Sequence, residues 1–427
     1  MKQEIREKIE KIRKGEVPEG YRRTKVGIIP VEWGVDKLGN HAFITKLAGF
    51  EYSDYFNSYK DGGEIIVIRG TNITNNKLDL TDVKTIPIET SKKLPRSKLS
   101  KNDLVFAYVG TIGPIYLVEE DNKFHLGPNT SKIRVDNSLD SKYLFNYFTS
   151  WLIKNKIIEQ TSIGAQPSLS MMKIRSFRII IPKLIEEQQK IADILSTWNN
   201  AIELKEKLIE EKKEFKRGLM NNIISAKMKD DSGWKFAKFK EIFKIIKRPI
   251  DKHPEEEYKR LIVKRRLGGV ELRDIKKGKE ILVDSQHIVK EGDFIISNRQ
   301  VFHGALGLVQ KKHENSIISN EYSILRCNEG FDTEFLFYCM HSPQLKKTII
   351  KRTQGVQEEK FLFLFNEWYK TLGLHIPSID EQKSIVSVLN NLTENIRILT
   401  SEVALLKEQK KGLMQLLLTG IIRVEVN

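Results

Sequence analysis

Residues 376–420 restrict the fold of this chain more than any other stretch. Ile385, Leu389, Leu392, Ile396, Leu399, Val403, Leu406, Lys410, Leu413 and Leu417 follow one another at alternating steps of four and three. That spacing is a heptad seam on one helix, and only Lys410 in it is not apolar. Pro377 and Ser378 open the helix, Asp380 and Glu381 suit its first turn, and Gly420 closes it. At ~1.5 Å per residue, about 40 residues make a rod of roughly 60 Å. One helix cannot bury such a stripe by itself, so it requires a partner.

The chain carries that partner. The stretch beginning at Ile181 repeats Glu381-Gln382 as Glu187-Gln188, and Gly412-Leu413-Met414 as Gly218-Leu219-Met220. Its seam falls on Ile191, Leu195, Trp198, Ile202, Lys205, Ile209, Lys212, Lys216, Leu219 and Ile223. Shared phase and shared terminal motifs indicate an internal duplication. Two such helices in one chain pair most simply antiparallel.

With 427 residues the chain is too long for one ordinary core, so two or three domains are expected. A net charge of +16 suits a polyanion, with nucleic acid the first candidate. Cys327 and Cys339 have no metal-ligand spacing around them and fit a reducing compartment. No apolar run reaches the about 18 residues of a membrane span, and the charged N-terminus does not read as a signal peptide. A cytoplasmic protein with no membrane partner is therefore expected.

Residues 1–30 read as a short charged helix and a lead-in, and 31–180 as a first globular domain. Residues 181–227 are the first long helix, 228–375 a second globular domain, and 376–427 the second long helix with the C-terminus. Both globular stretches hold short β-rich runs between turn residues, and each has one internal helix, over 142–160 and over 333–351. The fold class is α+β. Two mixed α/β domains, with mainly antiparallel sheets, are separated by two long antiparallel coiled-coil helices in an internal pseudo-two-fold repeat. The globular domains share a frame: Asp103 matches Asp293, Gly113 matches Gly304, Asn129 matches Asn320, Gln166 matches Gln357, and Trp33 matches Trp234.

Basic side chains cluster twice. Arg69, Lys92, Lys93, Arg96, Lys98 and Lys101 lie in the first domain, and Lys264, Arg265, Arg266 and Arg273 in the second. Such cations neutralise phosphates, while Arg, Asn and Gln on loops read base edges. Loops 108–113 and 298–304 stand at equivalent places in the repeat and differ chemically. Tyr108 and Thr111 in one, and Asn298, Arg299, Gln300 and His303 in the other, are the first candidates for base contacts, joined by Gln166 and Gln357. Double-stranded DNA has a two-fold of its own, and half-sites one turn apart lie about 34 Å from each other. Two different basic domains on a spacer suit two different half-sites.

Three motifs carry a family resemblance. G-Y-x-x-T-x-V-G-x-I-P-x-x-W runs from Gly20 to Trp33, an Ile-Pro start with a following Glu-Gln opens both long helices, and L-K-E-Q-K-K-G-L-M-Q-L-L-L-T-G runs from Leu406 to Gly420. Over nearly its whole length the sequence resembles the specificity subunit of a type I restriction-modification system; residues 1–19 exceed what the resemblance requires. It implies two target-recognition domains, each reading one part of a split, asymmetric DNA sequence. It implies two helical regions that bind modification subunits and set the spacing. The chain would be non-catalytic and hold no cofactor. Two methyltransferase subunits would bring S-adenosylmethionine, and restriction–translocase subunits would bring ATP and Mg²⁺.

The residues agree with a chain that performs no chemistry. There is no Asn/Asp-Pro-Pro-aromatic motif of an adenine methyltransferase and no G-x-x-x-x-G-K-[ST] loop, and the eight histidines show no metal spacing. Asp103 and Asp293, each between a turn and a strand, read as turn or capping residues rather than nuclease carboxylates. A self-contained nuclease or methyltransferase is thereby disfavoured. The divergent globular pair argues against a plain coiled-coil scaffold. A specificity subunit serving methylation alone fits the same sequence.

The helix pair as a ruler can be tested by length. Seven residues inserted after Glu210 and seven after Ala404 keep the seam in phase and the pair matched. The pair then grows by ~10 Å, close to three base pairs at ~3.4 Å rise. Those base pairs also turn the outer half-site by about 100°, so length and phase conflict. The expected spacer preference is about one to three base pairs longer, with weaker binding and unchanged half-site sequences. It is read by mapping methylated adenines with methyltransferase subunits present; an unchanged spacer removes the helices as the ruler.

Overall fold

The structure, a computed structural model, describes residues 3–55, 62–162, 167–226, 233–266, 268–342 and 369–426. The chain divides into two compact units, Met1–Lys205 with Glu402–Asn427, and Glu206–Ser401. The division falls within the long helices, Ile185–Ala226 and Ile379–Leu418. The first gives its N-terminal part to the first unit, and the second its C-terminal part.

In the first unit a helix, Gln3–Arg13, precedes a hairpin of Tyr21–Thr24 and Gly27–Pro30. A four-stranded antiparallel sheet orders its strands Ile115–Leu117, Leu104–Ala107, Thr130–Val135 and Ala42–Lys46. A three-stranded sheet sets Ile65–Ile68 between Phe124–Leu126, which is parallel to it, and Lys84–Ile86. The expected helix over 142–160 is two helices, Ser141–Thr149 and Trp151–Gln160. Ser150 breaks it: its backbone is extended at ψ 165°, and its hydroxyl donates to the Tyr147 carbonyl at 2.6 Å. A serine hydroxyl that takes a helical carbonyl competes with continuation of the helix. The core holds Trp33, Phe106, Tyr143, Tyr147 and Phe148 together with Ile191, Leu195, Met414 and Leu417 from the two long helices.

The second unit repeats the plan. Phe243–Ile246, Tyr322–Cys327, Phe294–Ser297 and Leu306–Leu308 form an antiparallel sheet. A five-stranded sheet ends in a long ribbon, Glu257–Val263 paired with Val270–Lys277. One bridge in that sheet, Arg260 to Ile317, is parallel, so neither unit is purely antiparallel. The second internal helix is Thr333–Met340; the remainder of the stretch expected to be helical lies outside the described residues from residue 343 on. Trp234, Phe243, Phe294 and Phe335 share the core with Val386 and Leu389.

Along the seam, Ile191, Leu195, Ile202, Ile209, Leu389, Val403 and Leu417 are buried. Trp198, Leu219, Ile385, Leu392, Ile396, Leu399, Leu406 and Leu413 are half-buried. The side chain of Ile223 lies outside the described set. In the first unit Lys205 reaches Glu402 at 2.7 Å, while Leu195 shares a core with Leu417. In the second, Lys216 donates to the Thr393 hydroxyl at 2.6 Å, while Leu219 packs on the core containing Leu389. In each unit the paired segments therefore run in opposite directions. Lys205 and Lys216 extend their ends to these polar partners and leave their stems to the apolar stripe.

The start of each long helix is tied to its own globular domain by one pattern. In the first unit the Trp33 indole N–H donates to Glu187 at 3.1 Å. Gln188 accepts from the Asp140 backbone N–H at 2.8 Å and donates to the Ser138 and Pro182 carbonyls. Asp140 in turn caps the next helix through the Tyr143 N–H. In the second unit Trp234 donates to Glu381 at 3.3 Å. Gln382 accepts from the Asp332 N–H at 2.7 Å and donates to the Gly330 and Pro377 carbonyls, and Asp332 caps through Phe335.

The C-terminal residues complete the first unit. Gly420 ends the helix in the left-handed region, and a Cβ there would meet Pro30 at 2.6 Å. Tyr21 donates its hydroxyl to the Gly420 carbonyl, and Arg423 forks onto Glu187 at 2.6 and 3.0 Å while reaching Glu32. Glu187 is 1% exposed, so the guanidinium balances a buried carboxylate. Arg423→Ala is expected to lower the stability of the first unit by about 1.5–3 kcal/mol, with hydrogen exchange in the second unit unchanged. Adding Glu187→Gln should recover part of the loss. Equal loosening of both units would refute the local role.

Candidate nucleic-acid interface

The ribbon of the second unit alternates inward Tyr258, Leu261 and Val263 with outward Lys259 and Ile262, and a bulge lies between Arg260 and Leu261. Its tip is tight. Lys264 N–H donates to the Gly269 carbonyl at 2.9 Å, and Gly268 N–H to the Arg265 carbonyl. Arg266 has φ +58°, a conformation that costs energy for a residue with a Cβ. Its N–H donates to the His303 carbonyl at 2.6 Å, which joins the tip to loop 298–304. In that loop Asn298 accepts from the Ser323 hydroxyl at 2.7 Å, Arg299 pairs with Glu321 at 3.4 Å, and the Gln300 carbonyl accepts from the His303 and Ala305 N–H groups.

The structure thus brings Lys264, Arg265, Arg266, Asn298, Arg299, Gln300 and His303 onto two bonded loops. Arg273 stands on the outgoing strand against Asp274, and Lys264 pairs with Glu271 at 2.5 Å. Tyr322 beside them has its hydroxyl pKa raised by burial. Arg265 and Arg266 are exposed, and neither guanidinium has an ion pair or hydrogen bond among the described residues. Gln357 lies outside the described residues.

In the first unit, loop 108–113 is anchored at both ends. Tyr108 N–H donates to the Asn129 carbonyl, Leu169 N–H to the Tyr108 carbonyl, and Gly110 N–H to Pro167. Tyr108 is half-buried, with Lys46 6.0 Å from its ring centre, and Thr111 is exposed. Gln166 lies outside the described residues. Arg69 is clamped by Asp82 at 3.0 Å and Asn72 at 3.1 Å, beside a Gly70 that approaches Asn129. Lys92 pairs with Glu89, Arg96 with the buried Glu51, and Lys98 with Asn122. Lys93 and Lys101 are exposed and have no ion pair among the described residues. The cations of the first domain are therefore unequal: most are held by neighbours, and two are available to phosphates.

Asp103 and Asp293 close their turns and bind arginines. Asp103 accepts from Ser100 N–H and twice from Arg134 at 2.7 Å. Asp293 accepts from Lys290 N–H, from Arg248 at 2.6 Å and from Arg326 at 2.9 Å. Sequence reading missed Arg134 and Arg326; their similar spacing from the paired aspartates, 31 and 33 residues, was the available signal. It also missed a buried polar cluster in which Ser97 stands 3.2 Å from Glu51 and 3.5 Å from His125. All three are buried, with Ser97 between the other two, so no substrate reaches a nucleophile there. Among the described residues no group of His, Cys, Asp or Glu is arranged to hold a metal, and no helix is long and apolar enough to cross a membrane.

The family pattern of the type I restriction modification DNA specificity domain matches residues 30–213 and again residues 231–408. The chain is 24% identical to a putative type I restriction enzyme MjaX specificity subunit of Methanocaldococcus jannaschii, over 95% of this chain and 97% of the relative. It is 21% identical to the type I restriction enzyme EcoKI specificity subunit of Escherichia coli, over 86% and 83%. The crystal structure of a type I restriction-modification S subunit from M. genitalium matches with a TM-score of 0.56 at 14% identity, over 92% of this chain and 97% of that one. A solved structure of a type I R-M system matches with a TM-score of 0.58 at 15% identity, over 92% and 99%. At these identities the solved structures speak for the fold.

Lys132 gives this domain a pH signature. It is 1% exposed, donates to the Lys98 carbonyl at 2.9 Å, and burial brings its pKa down from 10.5 to about 8. Below about pH 8 both folded and unfolded chains carry the proton, and folding bears the full cost. Between about 8 and 10.5 the folded chain gives it up first, so stability rises with pH, by on the order of 3 kcal/mol in all. Tyrosines shielded by the fold, the half-buried Tyr116 among them at about 12, pull the opposite way above pH 10. The difference between wild type and Lys132→Met in denaturant melts therefore isolates the lysine. It should shrink as pH rises from 8 to 10; a constant difference would refute the assignment.

Proposed function

Two copies of one family pattern span most of this chain, which therefore belongs to the type I restriction modification DNA specificity family, and from that premise we propose how its halves divide the work. The protein is the specificity subunit of a type I restriction-modification system; it recognises DNA and is not the catalytic subunit. Each half reads one part of a bipartite, asymmetric target, through domains at 31–180 and 228–375. One observation carries this: the same Asp–Arg and Trp–Glu bonds recur in both units, while loops 108–113 and 298–304, set on that shared frame, differ in chemistry. Lys93 and Lys101 contact phosphates, and loop residues including Tyr108, Thr111, Asn298, Gln300 and His303 face bases. Two methyltransferase subunits bind along the long helices, and restriction subunits join them. S-adenosylmethionine, ATP and Mg²⁺ belong to those partners, and the complex works on DNA in the cytoplasm.

The test exchanges residues 41–180 for the matching domain of a relative with a different target and adds methyltransferase subunits. One half of the methylated sequence should change, and the other half and the spacer should not. A change in both halves together would defeat independent reading. Methylation by the purified chain alone would defeat the division of labour.

A further inference from the structure

We infer that the second domain reads its half-site with the tip of the β-ribbon, where Arg265 and Arg266 recognise guanine in the major groove. The inference rests on the specificity reading above and adds the reading element and the base. The major groove is about 12 Å wide and admits a two-stranded ribbon. The ribbon here has strands of seven and eight residues, the longest pair among the described residues, and the outer strand lies at a sheet edge. The first unit has nothing comparable among its described residues, where the small hairpin pairs only Ile73–Thr74 with Lys77–Leu78.

Charge pairing separates the tip from its surroundings. Lys264, Arg273 and Arg299 are each met by a carboxylate, from Glu271, Asp274 and Glu321. Those acids offset the local attraction for phosphate and leave Arg265 and Arg266 as the exposed guanidiniums of the tip without partners among the described residues. An arginine fork matches O6 and N7 of guanine with two parallel bonds, which a point charge on phosphate does not require. Backbone geometry agrees. A Cβ at Gly268 would lie 2.8 Å from the Lys264 Cβ, so the turn is compact, and Arg266 is kept at φ +58° by its bond to the His303 carbonyl. Fixing a residue in a costly conformation is how a fold sets a side chain for a directional contact. A contact with phosphate alone gains little from such fixing. Ile262 and Leu272, exposed on the same ribbon, suit the methyl groups and apolar edges of neighbouring base pairs.

The experiment uses the whole chain assembled with methyltransferase subunits. It acts on a duplex library randomised in both half-sites and reads the methylated molecules by sequencing. The half assigned to residues 228–375 by domain exchange should contain guanine at one or two positions. Arg265→Lys and Arg266→Lys keep the charge and lose the fork. Each should relax discrimination at such a position by roughly 5- to 150-fold, leaving the other half-site unchanged. Both variants alter exposed side chains, and equal thermal melting verifies the fold. Lysine variants that keep every base preference, with only total binding affected, would make these phosphate contacts and overturn the inference. So would a half-site without guanine. A wild-type complex that methylates with no sequence preference would instead bring down the specificity reading on which the inference stands.

Discussion

A bonded carboxylate at the first turn of each long helix, buried at Glu187 and half-buried at Glu381, fixes the rest of the architecture. Glu187 and Glu381 each receive an indole N–H, from Trp33 and Trp234, and the following Gln188 and Gln382 bond the backbone at the cap of the internal helix of the same domain, at Asp140 and Asp332. Apolar packing resists separation but is weakly directional, and a seam of leucines tolerates rotation and slippage better than a set of angular hydrogen bonds. The bonds therefore set the orientation of each domain on its own helix start, while burial supplies most of the stabilisation. Leaving any one of these groups unsatisfied costs more than the bond itself contributes, which makes the arrangement all-or-none.

Polar groups on the seam follow the same logic at lower stakes. Lys205 and Lys216 occupy positions that leucine would fill in an uninterrupted coiled coil, yet each stays half-buried and ends on a polar partner of the opposing helix. Burial lowers the pKa of Lys216, and of Lys410 at the matching place in the second helix. A charged residue on a seam lowers stability and narrows the registers in which the helices can meet. Here the two lysine contacts are made within separate units, one at Glu402 and one at Thr393, so each unit has its own register mark.

Most of the architecture was legible because it is periodic or repeated. The long helices run over Ile185–Ala226 and Ile379–Leu418, within a few residues of where Pro, Gly and the heptad spacing end them. The Glu-Gln pairs stood out by repetition. The break at Ser150 did not, since it depends on one hydroxyl choosing the Tyr147 carbonyl. Nor did the unequal status of the cations. Composition counts Arg69, Arg96 and Lys101 alike, but folding clamps Arg69 on Asp82, binds Arg96 to buried Glu51 and leaves the Lys101 ammonium exposed. The bond between Arg266 and His303 joins loops far apart in sequence, and no local rule announces it.

The two halves of the chain form an internal experiment on what may vary. Where they agree, the residues are bonded and mostly buried: Trp33 and Trp234, Asp103 and Asp293, and Gln188 and Gln382 are buried, and Arg134 and Arg326 reach the buried aspartates from the surface. Where they differ, the residues sit on loops and outer strands that those bonds support. Loop 108–113 hangs from Asn129 and Leu169 through backbone atoms alone, and Arg266 meets His303 through backbone atoms as well. A backbone bond specifies a conformation without specifying a side chain. Side chains in such loops can therefore be exchanged at small cost to stability, provided each position's φ tolerates the newcomer. A protein whose task is to distinguish DNA sequences gains from that separation, because recognition changes on the loops without disturbing the buried bonds that hold each reader to its helix.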